Sequence, residues 1–103
     1  CADTQRSANN IALSHAGFLV DQRTRIPGPI PTPQAVRDTP YTPPQRRLLE
    51  AHLKQTIAGS PNTIKRKLTA LAATHGVEEL VIVTNTHDFQ DRLRSYELLA
   101  DLF

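Results

Sequence analysis

Residues 78–88 read EELVIVTNTHD, and Leu80-Val81-Ile82-Val83 at its centre constrains the chain more than any other stretch. An apolar run this short, rich in β-branched residues, reads as a strand covered on both faces. Such a strand needs neighbours to take its backbone N–H and C=O groups, and helices above and below it. Directly after it the chain turns polar through Thr84, Asn85, Thr86, His87 and Asp88.

The flanks supply helices. In Gly59-Ser60-Pro61-Asn62-Thr63, Ser60 is an N-cap and Pro61 takes the first helical position. Ile64, Leu68, Leu71 and Ala72 then fall on one stripe, and Lys65, Arg66 and Lys67 face water. Gly76 ends this helix in the left-handed conformation. Asp88 caps a second helix, with Phe89, Leu93, Tyr96, Ala100 and Phe103 as its inner stripe. Helix, strand, helix is α/β alternation, which belongs to a parallel sheet. One strand is not a sheet, so its companions are expected in chain outside these residues.

The first half is less regular. Ala8, Ile11, Ala12, His15, Phe18 and Leu19 predict a helix within residues 1–20, although Gly17 weakens it. Seven of the eight prolines lie in residues 27–44. Proline removes backbone donors and turns the preceding residue away from helix, so 21–44 reads as an extended, partly polyproline loop. A helix from about Pro44 to Lys54 and a short extended piece fill 45–58.

Composition narrows the class. A chain of 103 residues is one domain at most. Its net charge of +2 is too small to indicate nucleic acid or an anionic membrane. No apolar run of about 18 residues occurs, and no secretory signal is present. The single cysteine suits a reducing, cytoplasmic setting. Cys1-Ala2-Asp3, in a chain without methionine, reads as cut from a longer sequence, with a lipid-modified N-terminal cysteine as the alternative. No metal constellation, Walker loop, dinucleotide fingerprint or nucleophile elbow appears.

GSPNTIKRKLTALAATHGVEELVIVTNTHDFQDRLRSYELLADLF (59–103) resembles the C-terminal end of the luciferase-like, flavin-dependent monooxygenases. The pattern is Thr84-Asn85-Thr86-His87-Asp88 followed by Arg92 to Ala100; Pro27 to Pro31 and Tyr41-Thr42-Pro43 fit more loosely. Asn62 departs from the family's usual glutamate after the proline.

The resemblance implies an α/β fold: the last helices and final strand of a partial TIM (β/α)8 barrel, spread over residues 1–103, which would be roughly the last third of about 250 residues. It implies a flavin-dependent oxidoreductase using reduced FMN, supplied by a separate flavin reductase, and O2 to oxidise a small-molecule substrate. A deazaflavin is not excluded, and the full-length protein would be an enzyme and a possible homodimer. The isolated segment would be inactive.

Strand ends form the active face of such barrels, so Thr84 and Asn85 are the candidate cofactor-binding residues. His87 is the candidate for the substrate pocket or lid. Plain strand termination by Thr84 and Asn85, and packing or capping by His87, are the simpler roles. No catalytic residue and no metal ligand is named. An alternative function is a small non-catalytic interaction module whose proline-rich loop binds a partner.

Overall fold

The computed structural model describes residues 1–24 and 28–103. They form five helices: α1 (Gln5–Arg23), α2 (Pro33–Asp38), α3 (Pro43–Gln55), α4 (Pro61–His75) and α5 (Phe89–Leu102). Among the described residues there is no strand, so the α/β reading as part of a TIM barrel is corrected to a helical fold.

The reason lies in where hydrogen bonds are found. A helix satisfies its own backbone, whereas a strand depends on another strand. Leu80–Val83 is neither helix nor strand, and among the described residues its backbone has no backbone partner. The first bond comes at Thr84, whose N–H donates to Tyr96 Oη at 3.3 Å. The stretch keeps the alternation of a strand nonetheless: Leu80 packs inward, while Val81 and Val83 remain 88% and 76% exposed.

Helix starts follow the sequence closely because capping is local. Thr4, Thr32, Thr42 and Asp88 each accept a backbone N–H of the following turn through the side chain. Thr42 and Gln45 form a reciprocal capping box. Ser60 holds the N-cap position of α4 without a side-chain cap bond; its hydroxyl lies 3.2 Å from Thr63 Oγ1. Gly76 ends α4 at φ 61°, ψ 36°, where a residue with a Cβ would be strained.

Two expectations of regular structure are corrected. The proline stretch is not one extended loop: Pro33 and Pro43 sit at the first turns of α2 and α3, where the missing N–H costs nothing. Pro27 lies outside the described residues. The inner face of α5 is Ser95 and Leu99, with Tyr96 and Leu102 beside it; Phe89, Leu93 and Phe103 are exposed.

The helices pack as two clusters. In the first, α1 lies against α2 and α3, joining Ala16, Val20, Val36 and Leu49. In the second, α4 and α5 join Ile64, Leu68 and Leu99, with Leu80 packed against them. The chain's first residues tie the clusters together. Ala2 N–H donates to Gly59 O at 3.1 Å, and Asp3 pairs with Arg94 at 2.7 Å. No described helix is long and apolar enough to cross a membrane.

Candidate functional site

Between the two clusters runs a groove of about 440 Å3. Ile11, Ala12 and His15 of α1 form one side, with His52 at the end of α3. Leu68 and Leu71 of α4, Asp91 and Leu99 of α5 and the stretch from Leu80 to Thr86 form the other. Its making is local on each element. Residues 8, 11, 12, 15 and 19 share one face of α1 at helical spacing, and the strand-like stretch lays its side chains along the opposite wall.

The groove is lined by apolar and polar side chains together, the latter including His15, His52, Thr84, Asn85 and Asp91. His15 and His52 both line it, and His15 Nδ1 and His52 Nε2 are shut from solvent without a hydrogen-bond partner among the described residues. Buried polar atoms left unpaired cost about 1–3 kcal/mol each, so these two nitrogens are a cost the folded chain carries. Burial, and secondly the neighbouring His52, push the His15 pKa below its ordinary value of 6.5. Asp91 is pushed upward, first by burial and then by Asp88. Both shifts favour the uncharged form, and among the described residues the lining contains no lysine or arginine.

A stability consequence follows for His15. As pH falls below about 6.5, the unfolded chain takes up a proton on this imidazole that the folded chain resists. Its contribution is therefore intact above 6.5 and is lost as pH falls through the lowered folded value. Between pH 7.5 and 5.5, above the range of ordinary carboxylates, His15→Leu is expected to flatten the fall in Tm seen for the unaltered chain. Parallel Tm–pH lines for the two proteins would show that His15 does not carry this dependence.

The residues expected at the site separate. Thr84 and Asn85 line the groove, and Thr84 is anchored by Tyr96. His87 is not among the lining residues; its Nδ1 lies 2.8 Å from Ile30 O, joining the 84–88 turn to the segment before α2. The residues missed from sequence are His15 and His52. His15 falls on the apolar periodicity of α1, but only packing of α1 on α3 brings it to His52.

The expected cofactor is a flavin; the phosphomonoester of FMN calls for cations or a cradle of free amides, and among the described residues no lysine or arginine lines these walls. No step is derived through flavin.

Comparison with known proteins gives relatives along the whole chain. The uncharacterized proteins YceB and YwcH of Bacillus subtilis (strain 168) are 32% and 35% identical to it, across all of this chain and 31% of each relative. Uncharacterized protein YvbT of the same organism is 29% identical over 99% of this chain and 30% of its own length. The chain thus spans about a third of the curated relatives it matches. The crystal structure of apo-MsnO8 superposes on all of it with a TM-score of 0.81 at 30% identity, over 32% of that protein. No family model matches.

These findings correct the resemblance to luciferase-like monooxygenases. The relatives matched along the whole chain are uncharacterized proteins, and the expected closing strand of a barrel is unpaired among the described residues.

Proposed function

We propose that the chain binds a small, uncharged organic molecule, largely apolar and carrying one hydroxyl or carbonyl group, in the groove between its two clusters. The observation that carries this reading is a largely apolar lining that includes the imidazoles of His15 and His52 and, among the described residues, no lysine or arginine. Sites for small organic ligands have volumes of about 300–1,000 Å3 and few, placed polar groups; the groove's 440 Å3 falls in that range. A neutral imidazole offers one donor and one acceptor, which suits a hydroxyl or a carbonyl. Apolar walls leave a carboxylate or phosphate unsolvated.

Calorimetric titration with 2-naphthol tests the reading. Saturable binding is expected for the unaltered chain, weakened about tenfold by Ile11→Trp, which fills the groove from α1. FMN is expected to show no saturation. Equal affinity of the Trp variant, or no heat from 2-naphthol at all, would remove this function.

A further inference from the structure

A second, broader groove of about 1450 Å3 passes over the first half of α1. Four helices each give it one cation: Arg6 from α1, Arg37 from α2, Lys54 from α3 and Lys67 from α4. No aspartate or glutamate lines it. Of the acids next in sequence to lining residues, Asp3 is drawn away by Arg94 at 2.7 Å, while Asp38 stays at the groove's edge and accepts from the lining Gln34 Nε2 at 2.9 Å. Among the described residues the ion pairs all belong to Arg94, so none of the four cations is paired with a carboxylate. In a chain with 12 basic and 10 acidic residues, that is a strong local segregation of charge.

The remaining lining says which anion fits. Gln5, Asn9, Asn10 and Gln34 set four side-chain amides along the groove, each both donor and acceptor. Gln5 pairs with Asn9 and Gln34 with Asp38, each at 2.9 Å, and Asn10 accepts from Arg37, so each amide offers a ligand only its remaining donor or acceptor capacity. Leu13 and Leu53 contribute apolar surface. Amides match a peptide backbone, and aliphatic side chains match the stems of glutamates. No aromatic side chain lines the groove, so it lacks the stacking platform that single-stranded nucleic acid uses.

We propose that this groove binds an extended acidic peptide segment of a partner protein. The cations on α1, α2, α3 and α4 take its carboxylates, and the amides take its backbone N–H and C=O groups. This site is separate from the apolar groove and goes beyond the function proposed for it.

The test is fluorescence anisotropy of a short labelled peptide alternating Glu and Ala, titrated with the 103-residue chain. Saturable binding that weakens with added salt is expected. Arg6→Glu and Lys67→Glu are each expected to weaken it about tenfold or more, and Arg6→Lys to retain it. Lys65→Glu, the same charge change on α4 outside the groove, is expected to leave affinity within about twofold. All these positions are exposed, so their effects on stability stay within about 0.5 kcal/mol, and thermal unfolding checks this. Absence of saturable binding overturns the proposal. So does equal loss in Lys65→Glu, or an oligouridylate that binds as tightly as the peptide.

Discussion

Leu68→Ala is expected to lower stability by about 2–5 kcal/mol, the range for emptying a buried leucine site. Leu68 is 7% exposed and joins Ile64 to Leu99 in a cluster with three buried members. A core this thin has little to collapse into the space. A chain of this length has about 5–15 kcal/mol in total, so the loss is a large fraction of what holds α4 on α5. Each kcal/mol lowers Tm by about 4–8 °C at this size. Hydrogen exchange locates the effect: α4 and α5 amides are expected to lose protection before those of α1 and α3, because the tightest packing lies within each cluster. Uniform loss across all helices would show that the clusters unfold as one.

Gly17→Ala is expected to destabilise the chain, against the local preference for alanine. In an isolated helix the exchange gains about 1 kcal/mol. A Cβ built at Gly17 lies 2.5 Å from Val36 Cγ2 and 3.3 Å from the Tyr41 hydroxyl. Val36 is 3% exposed and β-branched, so it has no other rotamer at hand. Overpacking of this kind costs about 1–3 kcal/mol, enough to exceed the gain and to push α2 off α1. The companion variant makes the cause visible. With Val36→Ala already in place the clash is removed, and adding Gly17→Ala is expected to stabilise rather than destabilise. A double-mutant cycle by denaturant unfolding reads this sign reversal; additive effects would mean that Gly17 and Val36 are not in conflict.

Gly17 shows how a local rule fails once helices meet. By propensity it weakens α1, and the apolar pattern ends at Leu19, yet the helix runs to Arg23. The absent side chain is what admits Val36. The prolines teach the converse. Read as a run they suggest one extended loop, whereas Pro33 and Pro43 each follow a capping threonine and open a helix. The information was local and present, in the Thr-Pro and Thr-Pro-Pro pairs, but the count of prolines obscured it.

The candidate site was legible only in part. Thr84 and Asn85 were picked out by the switch from apolar to polar after Val83, and both line the groove. His15 and His52 carry its polar character, and their meeting depends on α1 packing against α3. The basic groove is similar: Arg6, Arg37, Lys54 and Lys67 are widely spaced along the chain, and the small net charge concealed their concentration on one surface.

Helix starts, the left-handed glycine after His75 and the alternation of Leu80 to Val83 were settled within a few neighbouring residues, since caps, φ restrictions and side-chain periodicity act over one turn. Whether Leu80–Val83 finds a partner strand, which face of α5 is covered, and which histidines and cations share a groove depend on segments far apart in the chain. Those outcomes are decided by packing between helices, which no single stretch specifies.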